Sequence, residues 1–293
     1  ATIGGGYTNT VTASIATIGG GSTNSALGYA ATVAGGETNR AAGSWSTVGG
    51  GAVNEANGED ATVAGGSGNA AGGLAASVGG GGENTAPGRD AAISGGRQNE
   101  AHGDRSVVAG GYWNVTYGLT STISGGQQNF INRDHATVGG GRNNQIYGDF
   151  GTIGGGGGGD EDGANIVYDH GGTIGGGTGN KAGSDDADPS SALDATIGGG
   201  LRNQASGDAA TVGGGTGNLA DGHIATIGGG WVNTASGADA TVGGGGENSA
   251  DGDYATVGGG DSNTASGNGS TVGGGVGNQS SLSATVSGGE GNA

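Results

Sequence analysis

Ala225-Thr226-Ile227-Gly228-Gly229-Gly230-Trp231-Val232-Asn233-Thr234-Ala235-Ser236-Gly237-Ala238-Asp239 is one unit of a repeat that occupies the whole chain. Its opening phrase begins at Ala1 and returns at positions 16, 31, 46, 61, 76, 91, 106, 121, 136 and 151, then at 172, 195, 210, 225, 240, 255, 270 and 284. That gives 19 starts, and 15 of the 18 intervals are 15 residues long. The others are 21 (151 to 172), 23 (172 to 195) and 14 (270 to 284). A fixed period over a whole chain decides the architecture before any single residue does.

Column by column, the repeat reads A-T-V/I-G-G-G-x-x-N-x-A-x-G-x-x. Column 3 is Val or Ile, and columns 5 and 6 are Gly, in all 19 copies. Column 9 is Asn in 18 of 19, with Gly159 the exception. Gly in such number excludes helix. A short β-branched stretch followed by glycine punctuation reads as strand and then turn. Two strands per repeat predict an all-β solenoid, a parallel β-roll of about 19 coils. Stacked at roughly 4.8 Å, these would make a rod of about 90 Å.

Composition agrees. Gly supplies 81 of 293 residues, but 2 Pro and no three-residue period exclude collagen. The regular columns argue against disorder. No Cys means no disulfide framework and no thiolate metal site. No run of 18 apolar residues exists, so no membrane insertion of this segment is expected. The net charge of −18 disfavours nucleic acid as a partner. The chain opens and closes inside a repeat, as expected of a segment (1–293, one continuous solenoid) of a longer protein.

Strand alternation puts columns 1 and 3 on one face, directed inward, with column 11 opposite and column 2 outward. Val33, Val48 and Ile227 exemplify the expected core ladder. The Asn column (Asn24, Asn39, Asn54, Asn218 and Asn233 among others) has two readings: an amide ladder between coils, or a polar row gripping a ligand. The Gly run is a turn with positive φ, or a place where another chain approaches closely. A phosphate loop is excluded, since no Lys-Ser/Thr follows and no helix does. Burying one Val or Ile per coil gives roughly 1.5–3 kcal/mol, against about 1 kcal/mol or more per ordered residue. A second surface shared with copies of the chain is therefore expected.

The stretch Ala225 to Gly230, followed by Asn233, Ala235 and Gly237, resembles the head repeat of trimeric autotransporter adhesins, the YadA-like family. That repeat reads approximately S-V-A-I-G-x-x-A-x-A-x-G-x-x. The resemblance covers nearly the whole chain. It implies a left-handed parallel β-roll, a homotrimer, display outside a bacterial cell, and adhesion to matrix proteins, host surfaces or other cells; a cell-surface glycan or host protein is an expected partner. Similar repeats occur in bacteriophage tail fibres. This chain departs from the family pattern in its longer period, its Gly-Gly-Gly and its Asn, and it shows no neck, stalk or anchor.

The repeat breaks at two acidic insertions, about 157–171 and 183–194. Asp160, Glu161 and Asp162 in the first, and Asp185, Asp186 and Asp188 in the second, are candidate ligands for Ca²⁺, which favours several oxygen ligands. The alternative is two solvated acidic loops. Neither matches a known calcium-loop pattern. A second anomaly is a band rich in Arg, His and aromatic residues between about 89 and 170. Column 7 there reads Arg97, Tyr112, Gln127 and Arg142 on successive coils, with Trp113 beside Tyr112. These form a candidate face for a sugar or protein, or pack against a neighbouring chain. No catalytic constellation is visible, and a non-enzymatic extracellular fibre or adhesin segment is expected. The competing readings are a phage receptor-binding fibre, end-to-end self-assembly into a filament, and ice binding through the column-2 Thr row, which breaks at Ser77, Ala92 and Val107.

Overall fold

The structure is a computed structural model and describes residues 1–159, 161–186 and 188–293. The chain is a parallel β-solenoid of about 19 coils with a 15-residue repeat. Among the described residues the single helical element is the short 3-10 turn Glu161–Gly163. By compactness the chain divides into two units, Ala1–Gly140 and Gly141–Ala293.

Each coil but the last contributes two strands of two residues, one at columns 2–3 and one at columns 10–11. In the first unit Thr17–Ile18 pairs with Thr32–Val33, and Ser25–Ala26 pairs with Arg40–Ala41. In the second, Thr226–Ile227 pairs with Thr241–Val242, and Thr234–Ala235 with Ser249–Ala250. Like columns stand on like columns throughout these pairings. A third parallel ladder, one residue wide, runs along column 7, for example Thr216, Trp231, Gly246 and Asp261. The coil is thus three-sided, where two strands were expected. The third side was hidden because its residues share no composition.

Hydrogen bonding shows how the corners are made. The N–H groups of Thr226, Gly228, Trp231, Thr234 and Ser236 all donate forward, to carbonyls of the next coil. Val232 and Asp239 donate backward, to Thr216 and His223. Reversing the N–H direction requires a left-handed residue, and columns 8 and 15 supply it: φ is +52° at Val232 and +55° at Asp239. The same conformation holds Val53, Trp113 and Ile224. Left-handed β-branched residues are strained, and here the surrounding ladders over-determine the geometry. Their side chains project into solvent and clash with nothing inside.

The interior is complete within one chain. Ile18, Val33, Val48 and their successors to Val138 are buried in the first unit, as are Ile153 to Val272, including Ile227, in the second. Column-1 and column-11 Ala pad these β-branched ladders. Ile3, on the terminal coil, is 46% exposed for want of a neighbour.

The Asn column fills one inner corner. Asn233 donates its backbone N–H to Asn218 Oδ1 at 3.0 Å, and its own Oδ1 accepts the N–H of Asn248 at 3.0 Å. Its Nδ2 reaches Gly229 O in the same coil (2.9 Å) and Gly245 O in the next (3.0 Å). The same set recurs at Asn24, Asn39 and Asn54 in the first unit and at Asn218 in the second. The gap that the sequence shows at Gly159 is closed in space. The first insertion loops out and Asn165 takes the column-9 place, donating to Asn144 Oδ1 and accepting from Asn180.

Candidate functional site

The buried columns leave columns 7, 8, 10, 12, 14 and 15 to carry variable side chains outward. In the first unit, Arg97, Tyr112 and Gln127 stand in register on the column-7 ladder. Trp113 follows Tyr112 in a left-handed residue, 52% exposed, with ring centroids 6.2 Å apart. Arg97 lies 3.5 Å from Glu83, both largely exposed, a pair worth little on its own. Arg142 belongs to the second unit, where its N–H donates to Gly156 O. A second aromatic run, on columns 10 and 12, was only partly legible: His102 stacks on Tyr117 at 4.4 Å, and Tyr117 meets Phe130 edge-on at 6.0 Å.

The acidic insertions lie in the second unit. Asp160 lies outside the described residues, as does the side chain of Glu161. Asp162 and Asp185 are exposed. Asp186 and Asp188 cap their own loop. Asp186 Oδ1 accepts the N–H of Asp188 (3.0 Å) and the hydroxyl of Ser191 (3.1 Å). Asp188 Oδ1 accepts the N–H and hydroxyl of Ser190. The Asp188 N–H holds the Asp186 carboxyl below the ordinary carboxylate range, and the Ser190 hydroxyl does so for Asp188. Among the described residues no group of three or more His, Asp or Glu converges as a cation site.

The sequence counts Asp169 among the carboxylates of the first acidic insertion, without showing that it is buried. Asp169 occupies column 13, where the repeat elsewhere favours Gly, and it is 1% exposed. Column 13 demands Gly because the next coil stacks directly on it: a Cβ on Gly237 would lie 2.0 Å from Gly252 O. The second insertion opens the next coil at Gly183 and makes room for Asp169. Its Oδ2 accepts the Ser184 N–H at 2.7 Å, while Oδ1 is buried without a partner. Burial raises its pKa, and the charges of Asp186 and Asp188 add to the rise.

A carboxyl whose pKa rises on folding holds its proton more tightly when folded. Its contribution to stability is complete below the unfolded value, about 3.9, and is lost as pH rises through the higher folded value. Asp169→Asn is therefore expected to be more stable than the parent at about pH 8, with the difference shrinking toward about pH 4. Asp186 and Asp188 act in the opposite sense but are common to both proteins. Urea midpoints at the two pH values check this, and an advantage independent of pH sinks the assignment.

Two grooves in the second unit lie between the insertions. One is lined by Asp162, Ile166, Lys181, Arg202 and Gln204. The other carries Tyr168, Lys181, Asp185, Gln204, Ser206 and Asp221. The two adjoin at Lys181 and Gln204, which line both. Neither Lys181 nor Arg202 was singled out in the sequence, although alignment of the columns places them on adjacent coils. Among the described residues no helix is long and apolar enough to cross a membrane. Compared with known proteins, the chain matches no protein-family model and no curated protein.

Proposed function

We propose that the chain is a non-enzymatic, extracellular fibrous segment that displays its variable columns for attachment, as an adhesin head or appendage subunit. The observation that carries this reading is the division of labour among columns. The near-constant ones (1, 3, 9, 11 and 13) are consumed by core packing and the Asn ladder, and sequence variation is confined to outward rows. Such a scaffold changes its surface without changing its fold.

The resemblance to trimeric adhesin heads extends this to a left-handed homotrimer. The complete burial of column 3 in one chain removes the need for partners to cover the core. What supports lateral contact instead is column 5. A Cβ on Gly20 or Gly95 meets nothing within 4 Å, so at those two coils space does not demand glycine, whereas at Gly50, Gly110 and Gly229 a φ of +144° to +159° favours it. Light scattering is expected to give three times the chain mass, and a clean monomer overturns the trimer. Retention of the labelled protein on matrix-protein, glycan or cell surfaces tests display itself, and no retention on any of them overturns that reading.

Ice binding has a specific observation in its favour. In the second unit the outward Thr row is unbroken and in register: Thr152, Thr173, Thr196, Thr211, Thr226, Thr241, Thr256, Thr271 and Thr285. A thermal hysteresis assay separates the readings, and no hysteresis removes this one.

A further inference from the structure

We propose that the depression between the two insertions of the second unit is a binding groove for a neutral oligosaccharide. The proposal rests on the display reading above and names its partner.

The placement is particular. Ile166, Lys181 and Gln204 stand in register on the column-10 ladder. On one side of these strands lies the insertion that carries Asp162, whose backbone covers Gly179. On the other, the chain leaves the coil at Gly183 and returns at Asp194. The insertions therefore wall the same outward strands on both flanks. Gly183 is held as glycine by Asp169, since a Cβ there would sit 2.8 Å from Asp169 N and Oδ2. Gly183 lines the floor of the groove with Tyr168 and Ser206.

The lining fits hydroxyl groups, each of which donates and accepts. Lys181 and Arg202 donate only. Asp185 accepts and Gln204 does both, while the Ser206 hydroxyl already donates to Asp221 Oδ1 at 2.9 Å, leaving the acceptor sites of that pair. Among the described residues, neither Lys181 nor Arg202 forms a side-chain hydrogen bond or ion pair, so both cations are available to a ligand. Tyr168 offers a half-buried ring braced by Tyr147, with centroids 6.3 Å apart and planes 16° apart. A flat, oriented ring suits the apolar face of a pyranose. The alternatives fit less well. An anionic polymer meets three carboxylates on the walls and a chain of net charge −18. An apolar peptide finds only Ile166.

The repeat itself provides variants that fold. Column 10 carries Ala70 elsewhere and column 8 carries Gly217, in the same left-handed conformation as Arg202. Lys181→Ala and Arg202→Gly should therefore keep the parent's circular dichroism and melting temperature. The probes are cellohexaose, chitohexaose, laminarihexaose, maltohexaose and mannohexaose, with oligogalacturonate as the anionic comparison, measured by calorimetry and by saturation-transfer NMR. At least one neutral sugar is expected to bind, and each variant to weaken it about tenfold or more. Arg40→Ala, in the same column of the first unit, should bind like the parent. Binding of none of the neutral sugars, of oligogalacturonate alone, or of a neutral sugar equally by parent and variants overturns the groove. The surface-retention assay keeps the two proposals separable. A parent protein retained on protein or cell surfaces, with both groove variants retained equally, sinks the groove and leaves display standing.

Discussion

Asn233→Ala is expected to lower the stability of the second unit by about 3–5 kcal/mol. The substitution strips partners from several groups at once. The N–H of Asn248 loses Asn233 Oδ1, and the carbonyls of Gly229 and Gly245 lose Nδ2. Asn233 is wholly buried, and so are Asn218 and Asn248 on either side, which keeps water from the Asn248 amide, while Gly245 O, on an exposed residue, keeps the Trp231 N–H. Each buried polar group left unpaired costs about 1–3 kcal/mol. Asn233→Asp should be comparably damaging, because it keeps the acceptor but removes both donors and buries a charge. Hydrogen exchange locates the effect: protection of the Asn248 amide should fall well before that of amides several coils away, since coils interact with their nearest neighbours. A loss below about 1 kcal/mol, or uniform loss of protection, contradicts the ladder as the element that ties coil to coil.

The sequence carried the fold because each coil repeats one physical problem. β-Branched residues at column 3, small residues at columns 1, 11 and 13, and an amide at column 9 are all dictated by backbone stacked on like backbone. What stayed hidden was set by hydrogen-bond direction. The column-7 ladder and the left-handed Val53, Trp113 and Ile224 arise from N–H groups turned toward the coil before. Side-chain type does not encode that reversal, so a search for glycine at positive φ passes over them. Column counting also misplaced one residue: Asn165 takes its place in the ladder six positions later than the count gives, and only stacking shows it.

The surface was less legible. Its rows are variable, so each residue there must be read without help from its equivalents. The acidic insertions attracted attention through their charge, yet Asp186 and Asp188 are occupied in capping their own loop. Lys181 and Arg202 drew none, being isolated cations separated by 20 residues. Their approach depends on an insertion between them that leaves the solenoid and returns. Asp169 did carry a signal, an acid in a column that favours Gly, and its burial follows from the opening of the coil beside it.

Glycine offers the sharpest contrast, because adjacent members of one Gly-Gly-Gly run differ in what they permit. At Gly21 φ is +89°, and a Cβ would lie 2.1 Å from Gly36 O and 2.7 Å from Asn24 Nδ2. Gly21→Ala must displace the next coil's backbone and push aside the amide that ties the two coils together. Left-handed strain of about 1–2 kcal/mol adds to that. A loss of roughly 4 kcal/mol or more is expected in the first unit, comparable to losing a ladder amide. At Gly20, φ is not left-handed and a Cβ meets nothing within 4 Å. Gly20→Ala should leave the stability of the isolated chain within about 0.5 kcal/mol of the parent. Denaturation midpoints of the two variants at low protein concentration test the pair, and equal losses would show that the run acts as one unit. The concentration dependence then bears on column 5. If Gly20→Ala is neutral in dilute solution yet abolishes self-association, the open face at Gly20 is where a second chain approaches closely, because at this coil nothing within the first chain fills the space a Cβ would take.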